Sequence, residues 1–288
     1  MELIATPNKT KEILNKYPFI FRKKYGQNFL IDTHVLNKII NGARITDEDC
    51  ILEIGPGIGS LTQVLSQYAK KVIAIEIDNQ LIPILGETLG ECKNIEIIHN
   101  DILKVDIKKL VEDKNGNKPI KVVANLPYYI TTPIIMGLLE NNLPVSSITV
   151  MVQKEVAKRL IASPNNKDYG AITLTTAYYA KSSIIAKVPR NSFIPRPNVD
   201  SAVIHLEVLE KPSVEAIDER LFFRIIKASF SQRRKTLINS LINNNITTLS
   251  KEEMGGIFKG LGFDEKIRGE MLSIHDFAKL SDALSKEY

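Results

Sequence analysis

From residue 50 onward, short apolar runs alternate five times with longer segments of helical period, and no other feature constrains the fold as much. The runs at 50–54, 71–77, 95–98, 120–125 and 147–152 are strand-length and nearly continuous in apolar residues, the pattern of strands covered on both faces. Between them, 59–69, 78–89, 105–111, 132–140 and 154–161 carry apolar residues at helical spacing. Strand and helix in this alternation predict an α/β, Rossmann-like doubly wound sheet, mostly parallel. Segments 183–188 and 201–209 follow one another without a helix between them, so an antiparallel pair is expected at one edge.

After Glu210 the pattern changes. Lys211-Pro212-Ser213 reads as a turn, and 219–230, 233–242, 251–261 and 273–285 read as short amphipathic helices, a small all-helical C-terminal domain. Before the first strand, 32–40 carries Val35, Leu36, Ile39 and Ile40 at helical spacing behind an Asp32 or Thr33 cap. Residues 1–24 show no such pattern and are expected to be loosely ordered. The expected division is therefore an extension at 1–22, a large domain at 23–210 and a helical domain at 211–288.

The two cysteines, Cys50 and Cys92, are too few for a disulfide framework and lack CxxC spacing, and the four histidines stand apart from one another. These features, with no apolar stretch long enough to span a bilayer, predict a cytoplasmic protein without a metal site or membrane partner. No unpaired apolar helix face stands out, so a monomer is expected.

The first strand runs into Glu53-Ile54-Gly55-Pro56-Gly57-Ile58-Gly59, and a helix starts directly afterwards. Glycines here let the backbone approach a ligand at a helix N-terminus. The spacing is GxGxG, with Ser60 where the GxGxxG of dinucleotide binders has its last glycine, and Pro56 removes an amide that a pyrophosphate would use. Glu76 ends the second strand, where a carboxylate can accept both hydroxyls of a ribose; Asp101 follows the third and Asn125 ends the fourth. Gathered at the C-terminal edge of a parallel sheet, these groups describe an adenosine cofactor without phosphates, which points to S-adenosylmethionine.

Asn125-Leu126-Pro127-Tyr128 suits methylation of an exocyclic amine, whose lone pair is delocalised into its ring. The Asn125 side-chain oxygen and the Leu126 backbone carbonyl can accept its two N–H groups and aim the lone pair at a methyl donor. Pro127 stiffens the turn and Tyr128 offers a ring on which an unstacked base can lie. Phe193, ahead of Pro195-Arg196-Pro197, could plug the core beneath this turn; a second stacking wall opposite Tyr128 is the favoured reading. Neither cysteine lies in the tetrad, which disfavours a covalent attack on a pyrimidine ring.

With these elements in place, the sequence resembles the ribosomal RNA adenine dimethyltransferases, most closely their bacterial small-subunit (16S) branch. The resemblance runs from about Lys23 to the C-terminal helices. It is carried by Tyr25-Gly26-Gln27-Asn28-Phe29-Leu30, by the glycine turn with Ser60-Leu61-Thr62, and by Asn125 to Tyr128. Phe193 through Ala202 and Phe230-Ser231-Gln232-Arg233-Arg234-Lys235-Thr236-Leu237 complete it. It implies that Asn28, Leu30, Gly55, Gly57, Glu76, Asp101 and Asn125 contact S-adenosylmethionine and that Tyr128 and Phe193 flank a flipped adenine. It further implies dimethylation at N6 of two adjacent loop adenines near the 3′ end of 16S rRNA, in a small-subunit precursor. Tyr25 stands where phenylalanine is more usual. The runner-up readings are a 23S rRNA methyltransferase of the resistance branch and a non-catalytic ribosome-assembly factor that keeps the fold. A nicotinamide-dependent dehydrogenase is disfavoured by Ser60.

The net charge of +5 is unevenly placed: residues 1–30 carry +4, residues 220–240 carry +6, and the remainder carries −5. Arg220, Arg224, Lys227, Arg233, Arg234 and Lys235 stand among residues 220–240 without a single acid, an expected footprint for an RNA backbone. Lys23 and Lys24 are expected to add contacts near the cofactor entrance.

Overall fold

The computed structural model describes residues 2–17, 22 and 26–286; Lys23, Lys24 and Tyr25 lie outside the described residues. In chain order come α1 (Pro7–Lys16), β1 (Phe29–Leu30), α2 (Thr33–Ala43), β2 (Cys50–Ile54), α3 (Ser60–Tyr68), β3 (Lys71–Glu76), α4 (Leu81–Thr88) and β4 (Ile95–His99). There follow α5 (Ile107–Asn115), β5 (Ile120–Asn125), α6 (Thr131–Glu140), β6 (Val145–Gln153), α7 (Lys154–Leu160), α8 (Ala171–Tyr179), β7 (Ala180–Val188), β8 (Phe193–Ile194) and β9 (Ser201–Val208). The chain ends in α9 (Glu219–Ser231), α10 (Leu237–Asn243), α11 (Lys251–Gly260) and α12 (Ile274–Ser285).

The chain divides into two compact units: Met1–Ala157 with Ser182–Val208, and Lys158–Lys181 with Leu209–Tyr288. The first is built on a seven-stranded sheet in the order β4-β3-β2-β5-β6-β9-β7. β2 pairs in parallel with β3 and β5, β3 with β4, and β5 with β6. β9 runs antiparallel to β6 and lies between it and β7, which gives the sheet its antiparallel edge. The order reverses at β2, whose neighbours on its two sides are β3 and β5, so a crevice opens at their C-terminal ends. Ile51, Leu52, Val122, Val123 and Ala74 are all fully buried there, as strands covered by helices on both faces must be.

The N-terminal segment differs from its expectation. Thr6 caps α1 through its side-chain oxygen, Pro7 occupies the first helical turn, and Ile4 and Ile13 bury against Leu81, Ile84, Leu85 and Leu89. Gln63 of α3 accepts from the Ile4 N–H at 2.9 Å and donates to the Glu2 carbonyl at 2.9 Å. The segment is ordered by docking on α3 and α4, which its own weak apolar pattern does not announce. In α2 the cap is Asp32, which accepts from the N–H groups of His34 and Val35.

The second unit also departs from the simple cut at 211, because residues 158–181 belong to it. Tyr169, Leu174 and Tyr178 share one core with Phe222, Ile225, Leu241, Phe258 and Phe277, with the Tyr178 and Phe222 rings 5.3 Å apart. The Tyr169 hydroxyl donates to the Leu272 carbonyl at 2.8 Å, tying α8's approach to the last helices.

Candidate active site

The crevice at the sheet's switch point is a cavity of about 200 Å³. One wall is the glycine turn after β2, where Gly55 and Gly57 have φ of +69° and +63°, a region that disfavours side chains. A Cβ on Gly57 would also stand 3.0 Å from the Phe29 ring, whereas one on Gly55 would meet nothing closer than 4.0 Å. The Gly55 N–H donates to the Ile75 carbonyl, the Gly59 N–H to the Pro56 carbonyl and the Gly57 N–H to Glu76. All three glycine amides are thus engaged, and Pro56 has none.

Glu76, at the end of β3, is buried, and its carboxylate accepts from the Gly57 N–H at 3.3 Å and the Asp78 N–H at 2.8 Å. Burial pushes its pKa up to about 7. Glu53 is fully buried at the floor of the same cavity, Oε2 has no hydrogen-bond partner, and burial raises its pKa to about 8 with Glu76's charge adding to the effect. Asp101 caps a 3₁₀ turn by accepting from the Leu103 N–H at 3.0 Å. Beside it, Ile77 and Leu103 are 38% and 55% exposed while lining the cavity. Apolar faces next to a carboxylate make a slot for a flat heteroaromatic ring with a donor edge.

Asn125 ends β5, and its Nδ2 donates to the Asn28 carbonyl at 2.9 Å. That bond assigns the amide so that Oδ1 is its acceptor, without a protein donor among the described residues. The Pro127 carbonyl accepts from the Ile130 N–H and the Thr131 hydroxyl, but the Leu126 carbonyl receives no donor among the described residues. Two open acceptors therefore sit one residue apart. Tyr128 lines the same cavity with its hydroxyl 2.6 Å from Ser201 Oγ, which fixes the ring, and burial raises its pKa.

Of the residues singled out from sequence, Asn28, Leu30, Gly55, Gly57, Glu76, Asp101, Asn125, Leu126, Pro127 and Tyr128 all line this cavity. Phe193 does not. It is 2% exposed, pairs with Leu30 through β8 and β1, and packs among Leu30, Val35, Leu36 and Val203. The expectation of a second stacking wall is corrected to a core plug: a ring so placed gains more from apolar burial than an open cleft could offer. Glu53, Gln27 and Tyr129 line the cavity without having been singled out from sequence. Tyr129's signal was its adjacency to Tyr128, and Glu53's was an acid in an otherwise apolar strand.

In the second unit, Arg220, Arg224 and Lys227 are exposed on one face of α9, between the buried positions Leu221, Phe222, Ile225, Ile226 and Ala228. Arg234 and Lys235 are exposed in the turn that follows. Arg233 is engaged, with Nη2 donating to the Tyr169 carbonyl at 2.6 Å and Nε 3.9 Å from Glu270. Its side chain is nonetheless 46% exposed, beside Arg234 and Lys235. Among the described residues no group of His, Cys, Asp and Glu could hold a metal, and no helix is long and apolar enough to cross a membrane.

The chain is 56% identical over all of its 288 residues, and 99% of the relative's, to the ribosomal RNA small subunit methyltransferase A of Lachnoclostridium phytofermentans. It is 53% identical to the protein of the same name from Clostridioides difficile, over 99% of this chain and 98% of that one. Among solved structures, a dimethyladenosine transferase from Plasmodium falciparum superposes with a TM-score of 0.77 at 28% identity, covering 90% of this chain and 98% of that one. The 23S rRNA methyltransferase ErmE superposes with a TM-score of 0.70 at 25% identity, covering 90% of this chain and all of the other. The family model of ribosomal RNA adenine dimethylase matches residues 19–280, and with this sheet, this cavity and these relatives the chain belongs to the ribosomal RNA adenine dimethylase family.

Proposed function

We propose that the protein dimethylates N6 of two adjacent adenines in a loop near the 3′ end of 16S rRNA within a small-subunit precursor, as a cytoplasmic monomer using S-adenosylmethionine. Identity above 50% along the whole chain to proteins named for the small subunit supports the choice of RNA. The observation that carries the chemistry is the pair of open acceptors, Asn125 Oδ1 and the Leu126 carbonyl, at the end of β5.

The residues present suit the cofactor: a buried carboxylate for the ribose at Glu76, an apolar slot with Asp101 at its rim for the adenine, and a glycine turn whose amides are already engaged. Asn28, Leu30, Gly55 and Gly57 would hold the remainder. When bound, S-adenosylmethionine supplies an electrophilic methyl group on a positively charged sulfur.

What the chain contributes is positioning. Asn125 Oδ1 and the Leu126 carbonyl accept the target amine's two N–H groups, which turns the lone pair out of conjugation and toward the cleft. Tyr128, its ring held through Ser201, gives the flipped base a surface to lie on. No general base is required before transfer, because the amine loses its proton after the new N–C bond forms, when it is a strong acid. On the second unit, Arg220, Arg224, Lys227, Arg234 and Lys235 meet the RNA backbone.

Purified protein, labelled cofactor and small subunits lacking the modification should place label in dimethyladenosine of 16S rRNA. Asn125→Ala should lower kcat about a hundredfold or more. Label confined to 23S rRNA would move the protein to the other branch of the family, and particle binding without transfer would make it an assembly factor.

A further inference from the structure

One wall of the cleft comes from a stretch remote in sequence from the glycine turn. Gly26, Gln27, Asn28, Phe29 and Leu30 all line the cavity, and Gln27, with Arg22 upstream of it, bonds to a buried side chain, Asp78. Asp78 is completely buried. Its Oδ2 accepts from Gln27 Nε2 at 2.7 Å, its Oδ1 stands 3.2 Å from an Arg22 guanidinium nitrogen, and Oδ1 also accepts from the Gln80 N–H at 3.2 Å. Gln27 Oε1 in turn accepts from the Arg22 N–H at 2.9 Å, which closes a ring of polar contacts among Arg22, Gln27 and Asp78. A carboxylate taken this far from water is tolerable only with such partners around it.

The same residue reaches the site through its backbone, because the Asp78 N–H is the 2.8 Å donor that orients Glu76 Oε1. At the other end of the segment, the Asn28 carbonyl accepts from Asn125. Arg22 and Gln27 are thereby bonded to the ribose side of the cleft through Asp78, and Asn28 to the amine side through Asn125.

Resting on the cofactor reading above, the geometry points to Asp78 and Arg22 as positioning residues. Their ion pair, with Gln27, clasps the N-terminal wall of the cleft onto the element that carries Glu76, so that ordering of the wall and binding of the adenosine cofactor are one coupled event. Neither side chain touches reacting atoms. The clasp acts by holding two walls at the separation a nucleoside needs, and a cofactor filling the gap stabilises the clasped state by its differential affinity for it.

The test uses the full chain with S-adenosylmethionine and with unreactive S-adenosylhomocysteine as calorimetric ligands. Arg22→Gln removes the cation at a partly exposed position and leaves the core intact, and Asp78→Asn removes the anion. Each should weaken both ligands about tenfold, the double variant should bind no more weakly than the weaker single, and Arg22→Lys should recover most of the loss. Hydrogen exchange at amides 26–30 should speed up in the same variants, and the KM for cofactor should rise more than kcat falls. Arg22→Gln binding within about twofold of the parent, with unchanged exchange at 26–30, would overturn the clasp, as would single losses that multiply in the double variant. A parent protein that bound neither compound would overturn the cofactor reading itself and this inference with it.

Discussion

Exchanging Glu76 for glutamine keeps the shape of the side chain and removes a charge that the fold holds at a cost. Glu76 is 4% exposed, and burial lifts its pKa from 4.5 to about 7. A gap of that size corresponds to about 3 kcal/mol. Because the folded pKa lies above the unfolded one, the native state keeps a proton that the unfolded chain gives up between these two values. The stability that Glu76 contributes is therefore greatest below about pH 4.5, declines as pH rises toward 7, and is level beyond that. Glutamine carries no such penalty at any pH. Against this, its single acceptor oxygen satisfies only one of the Gly57 and Asp78 N–H groups, and the bond lost costs about 1–3 kcal/mol. The Glu76→Gln variant should thus be less stable than its parent at about pH 5 and equal or more stable at about pH 8, a swing of about 3 kcal/mol between them. Glu53, whose raised pKa owes part of its shift to Glu76's charge, adds to the swing in the same direction. Urea unfolding of both proteins at the two pH values measures it. A constant offset would refute the reasoning, for it would mean that the carboxylate bears no electrostatic cost in the folded state. The same variant should bind S-adenosylmethionine more weakly at every pH, so stability gained at high pH comes at the expense of the site.

Phe193→Ala should cost about 3–5 kcal/mol of stability because it empties a packed core site, while Phe193→Leu should retain methyl transfer once corrected for folded fraction. A stable Phe193→Leu protein without transfer would restore that ring to the site. On the second unit, Arg220→Ala and Lys227→Ala should each make the salt dependence of RNA binding shallower, by a slope of about 0.7–0.9. Arg233→Ala should also lower the melting temperature, since its guanidinium braces the Tyr169 carbonyl; unchanged melting would refute that bracing.

The alternation of buried runs and amphipathic segments made the sheet readable, and the glycine turn, Glu76, Asp101 and Asn125 were readable with it. These signals are local: a strand's composition reports that both its faces are covered, and a strand's C-terminal end in a parallel sheet is already a place in space. Helix α8 went unread because Ala171–Tyr179 is buried on most sides and so lacks a polar face to set a period. Helix α1 went unread because its order comes from α3 and α4.

By itself, then, the sequence placed Glu76, Asp101 and Asn125 at one edge of one sheet. Tertiary structure alone decided what each side chain has left to offer once its neighbours have bonded to it. Phe193 is spent on the core and Asp78 on Arg22 and Gln27, whereas Asn125 keeps an oxygen open. Residue type specifies a group's capacity for contact, but burial and partners far along the chain determine how much of that capacity remains, and no local pattern encodes those partners.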